Sequence, residues 1–108
     1  MSDFPRPPDT YLQFIQAFPK LGEAWKLAQE AGADGPLDDK AQRLIKLAVA
    51  IGNMREGAVH SAVRKAIAVG VTEAEIAQVI ALAGSVLGFP STVAVFSWVE
   101  RELQKGRS

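Results

Sequence analysis

The chain has 108 residues, a length typical of one domain. Its 12 Lys and Arg residues balance its 12 Asp and Glu residues, so it lacks the basic surplus of most nucleic-acid-binding proteins. It contains no cysteine, which excludes disulfides, thiolate metal sites and thiol redox chemistry. With a single histidine and no carboxylate cluster beside it, the sequence predicts no metal site.

The first residues show no targeting signal. Residues 1–8 are polar and contain three prolines, each of which fixes its own φ and extends the residue before it, so we expect an extended arm. The longest apolar run, Ile76 to Gly88, is interrupted by Gln78 and Ser85. It is shorter than the roughly 20 residues that a bilayer requires. We therefore expect a cytoplasmic protein that neither spans nor binds a membrane.

Apolar residues recur at helical spacing from Asp9 onwards and predict an all-α domain over residues 9–108. We expect six helices, over about 9–18, 21–31, 38–52, 56–69 and 72–87, and from residue 90 or 91 onwards. The clearest boundary is at the fifth helix. Thr72 is followed three residues later by Glu75, the pattern of a capping box, and Val71 and Ile76 can form the accompanying hydrophobic staple.

The fifth predicted helix is apolar on nearly every side between Ile76 and Gly88. Such a helix is typical of a fully buried position. Either it lies in the middle of a helical bundle or one of its sides is a subunit interface. A chain of this size has a high ratio of surface to volume, which favours the interface.

Glu56, His60 and Arg64 are the strongest candidates for chemistry. They follow one another at intervals of four residues, so a helix places them on one stripe. An imidazole titrates near neutral pH, a carboxylate can orient it, and a guanidinium can hold a substrate carboxylate, as Arg55 can at the helix entrance. The alternative is structural: a half-buried histidine bonded to Glu56, a glutamate that stabilises the helix N-terminus, and surface arginines.

Several segments resemble the carboxymuconolactone decarboxylase family, which also includes the AhpD-type alkylhydroperoxidases. The segments that carry the resemblance are 44–51, 55–61, 64–66, 70–72, 75–76 and 88–90, including the runs REGAVHS and GFP. They keep the order and spacing of the family over roughly residues 37–104. The resemblance implies an AhpD-like bundle of about six helices that assembles as a homotrimer or homohexamer.

The peroxidase branch of that family uses a Cys-x-x-Cys pair, a histidine and a glutamate. Aligned without gaps, its cysteines fall on Arg55 and Ala58, its histidine on Ala62 and its glutamate on Arg43. None of the four catalytic residues is present. The resemblance therefore does not extend to thiol peroxidase activity, for which the chain has no sulfur nucleophile.

The decarboxylase branch, with many related proteins, keeps the run EGAVHSH at this place. The present chain retains Glu56 and His60 but has Ala62 where the second histidine would stand. The resemblance implies decarboxylation or isomerisation of a small anionic lactone or unsaturated acid without a cofactor. His60 and Glu56 would then be catalytic, and Arg64 and Arg55 would bind the substrate. The alternative is a non-enzymatic, oligomeric small-molecule-binding protein on the same scaffold.

Overall fold

A computed structural model of the protein describes residues 9–107, which form six α-helices and contain no strand. The helices are α1 (Asp9–Ala17), α2 (Pro19–Ala33), α3 (Asp39–Gly52), α4 (Glu56–Ala68), α5 (Glu73–Leu87) and α6 (Phe89–Arg107). The predicted all-α class is confirmed. The extended arm predicted for residues 1–8 lies outside the described residues. The chain divides into two compact units, Met1–Leu37 and Asp38–Ser108, so a single domain over 9–108 stays a prediction.

The first unit contains the helical hairpin of α1 and α2. Pro19 occupies the first turn of α2, where its missing N–H is not needed, so α2 begins two residues earlier than predicted. The rings of Phe14 and Phe18 lie 5.5 Å apart and are tilted by 49°. Neither α1 nor α2 contains a buried residue, and Trp25 is 52% exposed.

The second unit contains the hydrophobic core. Helix α3 packs on α4 and α5, and α6 packs on α4 and α5. The core residues of α3 and α4 are Leu47, Ala50, Ile51, Val59, Val63 and Ala66. The remaining core residues lie between α4 and α5, on α5 and on α6, and are Val71, Ile76, Ile80, Val95, Val99 and Leu103. Their spacing of three, four and seven residues places one apolar stripe of each helix in the shared interior.

Side-chain caps fix where two of these helices begin. The Asp38 carboxylate accepts a hydrogen bond of 2.8 Å from the N–H of Ala41 at the start of α3. At α5 the Thr72 hydroxyl accepts from the N–H of Glu75, and the Glu75 carboxylate accepts from the N–H of Thr72. The predicted capping box is confirmed. Its carboxylate hydrogen bond from the backbone of Thr72 lowers the pKa of Glu75.

Helix α5 is not buried on all sides. Only Ile76 and Ile80 of this helix are buried, whereas Leu82 is 63% exposed and Val86 is 84% exposed. Of the two alternatives for α5, the second unit does not show burial in the middle of a bundle, because only one stripe of the helix meets its neighbours. Among residues 9–107 no helix is both long and apolar enough to cross a membrane.

Candidate active site

Helix α4 presents its three predicted site residues beside the core. Val59 and Val63 are buried on its inner stripe, and His60 and Arg64 directly follow them along the chain. His60 and Arg64 are consequently half-buried at the edge where α4 packs on α6. Glu56, in the first turn of α4, stays exposed. Along this stripe, the carboxylate of Glu56 therefore faces solvent, whereas His60 and Arg64 are half-buried.

His60 lies between two carboxylates. Its Nδ1 is 2.7 Å from Oε1 of Glu102, and its Nε2 is 3.1 Å from Oε2 of Glu56. A neutral imidazole has one N–H and can donate to only one of these oxygens, whereas an imidazolium donates to both. Both contacts can therefore be hydrogen bonds at the same time only when each ring nitrogen carries a proton.

Glu102 on α6 is the buried centre of the cluster, with a side chain only 5% exposed. Its Oε1 accepts from His60, from Nη1 of Arg64 at 3.3 Å and from Nζ of Lys105 at 3.3 Å. Burial alone would raise the pKa of Glu102. The hydrogen bonds from His60 and Lys105, together with the charges of Lys105 and Arg64, outweigh burial and lower the pKa below its ordinary value.

Sequence reasoning missed Glu102, although a signal was present. Val95 and Val99 form the buried stripe of α6, and residue 102 continues that stripe at a spacing of seven and three residues. A glutamate at such a position is rarely buried unless it is paired. The pairing partner lies 42 residues earlier in the chain, so only the three-dimensional packing of α4 against α6 identifies it.

The two arginines predicted to bind substrate differ in their surroundings. Arg64 is drawn into the cluster by Glu102, yet its side chain remains 35% exposed. One guanidinium N–H contact with Glu102 leaves further N–H groups for a ligand. Arg55 occupies the N-cap of α4 without a side-chain capping bond and joins none of the ion pairs of residues 9–107.

Arg101, and not the predicted Arg55, is the cation on the outer side of the cluster. Its Nη2 lies 3.2 Å from Oε2 of Glu56, the same oxygen that accepts from His60. The His60 cluster therefore consists of Glu56, His60, Arg64, Arg101, Glu102 and Lys105. Two carboxylates face three permanent cations and one imidazole, so the cluster carries a positive excess that suits an anionic ligand.

The second unit also contains an apolar groove between α5 and α6. Its volume is about 420 Å³. Its walls are Ala74, Ile76, Ala77, Ile80, Ala81, Phe96, Val99 and Leu103, and Glu73 and Glu100 lie at its rim. Arg107 forms ion pairs with both of these rim glutamates. None of the four predicted site residues lines this groove.

The same part of the chain offers no conventional metal site. Within residues 9–107, no group of three or more His, Asp or Glu side chains is placed to hold a metal ion. The His60 cluster has one imidazole and two carboxylates, but cations already occupy the shared oxygens of both carboxylates.

Comparison with known proteins agrees with this architecture. The model of the carboxymuconolactone decarboxylase family matches residues 19–101, and the chain therefore belongs to that family. Its fold is similar to the crystal structure of an apo carboxymuconolactone decarboxylase family protein from Legionella pneumophila, with a TM-score of 0.79 and 25% sequence identity. The match covers 89% of this chain and 87% of the Legionella chain. No curated protein matches the sequence.

Proposed function

We propose that the protein is a cofactor-free lyase or isomerase that acts on a small anionic lactone or unsaturated acid at the His60 cluster. The observation that carries the proposal is the hydrogen bond of 2.7 Å between His60 Nδ1 and the buried carboxylate of Glu102. A buried acceptor on one ring nitrogen fixes the imidazole and directs the other nitrogen outward. A carboxylate that orients an imidazole in this way is a recurrent arrangement for general acid–base catalysis.

Nε2 of His60 is the reactive end of the ring in this proposal. Its partner Glu56 has a side chain that is 45% exposed, against 5% for Glu102, so the Glu56 side of the ring is the one that can open to a ligand. An incoming acid would replace Glu56 next to Nε2, or Glu56 would pass a proton between Nε2 and solvent. The predicted catalytic pair of His60 and Glu56 thus becomes a chain of three groups with Glu102.

The proposed decarboxylation begins when the bond between the substrate carbon and its carboxylate breaks. The electron pair stays on the substrate as an enolate, carbon dioxide leaves, and Nε2–H of His60 gives a proton to the carbon. In an isomerisation the same nitrogen would remove a proton from one carbon and return it to another. Arg64 would hold a carboxylate or the developing oxyanion, because its charge is placed beside the ring before the reaction begins.

The decisive experiment is a screen of unsaturated dicarboxylic acids and their lactones in deuterated buffer. Proton NMR reports deuterium incorporation into the substrate, and carbon-13 NMR of carboxyl-labelled acids reports carbon dioxide release. The proposal expects turnover that His60→Gln abolishes and Glu102→Gln reduces by about 100-fold or less, since Glu102 acts through His60. Glu100→Gln on the same helix is the matched control and should retain the parent rate.

Activity that survives His60→Gln would contradict the proposal. So would a complete absence of deuterium exchange and carbon dioxide release with every acid that binds. Ligand binding is measured separately by thermal shift, because a ligand at 100 times its Kd stabilises the folded protein by about 2.7 kcal/mol.

The alternative function is a non-enzymatic small-molecule-binding protein. Two observations favour it. First, both ring nitrogens of His60 are already paired, as in a purely structural ion cluster. Second, the α5–α6 groove has apolar walls, and none of the four predicted site residues lines it. Ligands that raise the melting temperature without being converted, and whose binding is insensitive to His60→Gln, would establish this function instead.

The same proposal includes assembly as a homotrimer or homohexamer. Apolar side chains project from the outer face of α5 and the start of α6, namely Leu82, Val86, Phe89 and Val93, all more than 60% exposed. Within each helix the two side chains are four residues apart and are therefore neighbours, and exposed apolar patches mark interaction sites. Light scattering should give three or six times the 11.6 kDa chain mass, and Val86→Glu should lower it. A monomeric parent protein at micromolar concentration would refute the assembly.

A further inference from the structure

One carboxylate oxygen of Glu56 accepts hydrogen bonds from two different helices. Oε2 of Glu56 lies 3.1 Å from Nε2 of His60 on α4 and 3.2 Å from Nη2 of Arg101 on α6. Both distances are those of ordinary hydrogen bonds, and a protonated imidazole and a guanidinium are both cationic donors. The Glu56 carboxylate therefore fills a position at which two cationic donors converge.

Two adjacent residues of α6 serve the two ends of the His60 ring. Glu102 is buried and lies 2.7 Å from Nδ1, whereas Arg101 contacts the Glu56 oxygen beside Nε2. Consecutive side chains of a helix point about 100° apart, so one can be buried while the next faces solvent. Arg101 is therefore the cation at the Nε2 end of the ring, whereas Arg64 contacts the carboxylate at the Nδ1 end.

The Nε2 end of the ring is the one that solvent reaches. The side chain of Arg101 is 61% exposed and that of Glu56 is 45% exposed, against 16% for His60. Ion pairs between exposed side chains contribute little to stability, so the contact between Glu56 and Arg101 can be exchanged at small cost. An external carboxylate can therefore take the place of Glu56 without disturbing the buried core.

We propose that Nε2 of His60 and Nη2 of Arg101 form a subsite for one carboxylate of a small organic acid, and that Glu56 is the side chain which that acid displaces. The part of this subsite in a reaction rests on the proposed function, but its binding of a carboxylate does not. Two cationic donors suit a carboxylate, because charge-assisted hydrogen bonds are stronger than those to a neutral oxygen. Arg101 is then the residue that selects acids over neutral ligands.

The test removes the side chain of Glu56 and supplies acetate in its place. Glu56→Ala and the parent protein are titrated with sodium acetate at pH 6, where acetate is ionised, with sodium chloride keeping the ionic strength constant. His60 is the single histidine of the chain, so its ring resonances report binding by NMR without overlap. Glu56→Ala should show a saturable shift of these resonances. Its Kd should be at least about tenfold lower than that of the parent, in which the tethered Glu56 competes.

Matched variants separate the subsite from general electrostatics. Arg101→Gln, added to Glu56→Ala, should raise the Kd for acetate by about tenfold. Arg107→Gln in the same background removes another arginine of α6 that pairs with glutamates, and it should leave the Kd unchanged. Glu73→Ala is the control for Glu56→Ala, because Glu73 is also a first-turn glutamate paired with an arginine of α6. It should not make the His60 ring more responsive to acetate than in the parent.

Two results would overturn the subsite. One is the absence of a saturable acetate shift in folded Glu56→Ala, and the other is an equal loss of affinity in the Arg101→Gln and Arg107→Gln variants. The outcome is separable from that of the proposed function. Acetate binding that depends on Arg101, with no acid turned over, would support the subsite and refute only the reaction. Turnover that requires His60, without acetate binding to Glu56→Ala, would refute only the subsite.

Discussion

The two units of the chain have similar patterns of apolar residues, but only the second unit buries its apolar side chains. Helices α1 and α2 are amphipathic, yet neither contains a buried residue, and Phe18 and Leu27 are 53% and 64% exposed. Helices α3 to α6 have comparable stripes, and they bury the whole apolar core of the described residues. A 3.6-residue period thus predicts that a helix forms and which side is apolar, but the burial of that side depends on partners far along the chain.

Removing core volume should show the largest difference between the units. Leu47 is completely buried, so Leu47→Ala should lower the free energy of unfolding by about 3 kcal/mol through lost burial and a residual cavity. Leu27→Ala is the matched change in α2 and should alter it by less than about 0.5 kcal/mol. Urea denaturation of both variants measures the contrast. Similar losses in the two would show that the hairpin contributes to stability through burial against another surface.

The next effect concerns the polar centre of the second unit. Glu102→Gln should lower the free energy of unfolding by about 2 kcal/mol, because it leaves His60, Arg64 and Lys105 without their shared negative charge. Glu56→Gln removes a carboxylate that is largely solvated and should cost less than about 1 kcal/mol. Equal costs in urea denaturation would show that burial does not distinguish the two carboxylates.

Loss of the α5 cap should have a smaller effect. Thr72→Ala removes the hydroxyl that accepts from the N–H of Glu75 and should cost about 1 kcal/mol. Ser97→Ala serves as the control, because the Ser97 hydroxyl only donates to a carbonyl within its own helix. Thermal unfolding compares the two variants. A cost for Ser97→Ala as large as that for Thr72→Ala would argue against a specific capping contribution.

Acidification should produce the smallest change, since protonation leaves the side chain of Glu102 in place. The pKa of Glu102 is lowered in the folded protein, so its contribution is complete above the unfolded pKa and is lost as the pH falls through the folded pKa. The stability difference between the parent protein and Glu102→Gln should therefore narrow on acidification. Glu75 titrates in both proteins, so it cancels from the comparison. A constant difference down to pH 3 would contradict the lowered pKa.

Local signals account for most of what could be predicted from the sequence. The Thr72–Glu75 capping box was recognised because its atoms lie within one helical turn. The start of α6 was placed one or two residues late, because Gly88 adopts a positive φ of 86° and allows the helix to begin at Phe89. Local chemistry therefore locates helix boundaries to within about two residues.

The candidate site was only half predictable for the same reason. Glu56 and His60 belong to one helix, and their contact follows from a spacing of four residues. The contact between His60 and Glu102 depends on how α4 and α6 pack, and no local pattern specifies it. Arg55 is the opposite case, because it precedes Glu56 directly in the chain but does not join the His60 cluster.

Three side chains share one oxygen of Glu102, so the effect of replacing Lys105 depends on whether Glu102 has already been replaced. If Lys105 is replaced first, His60 and Arg64 still hold the carboxylate, and the loss is small. If Glu102 is replaced first, the cations Arg64 and Lys105 are left beside His60 without that carboxylate, and a later loss of Lys105 becomes favourable rather than harmful. Replacing Lys105 thus destabilises the parent protein but stabilises a variant that has already lost Glu102. A double-mutant cycle between Glu102 and Lys105 measures this difference as a coupling energy, whose sign is opposite to the cost of replacing Lys105 alone.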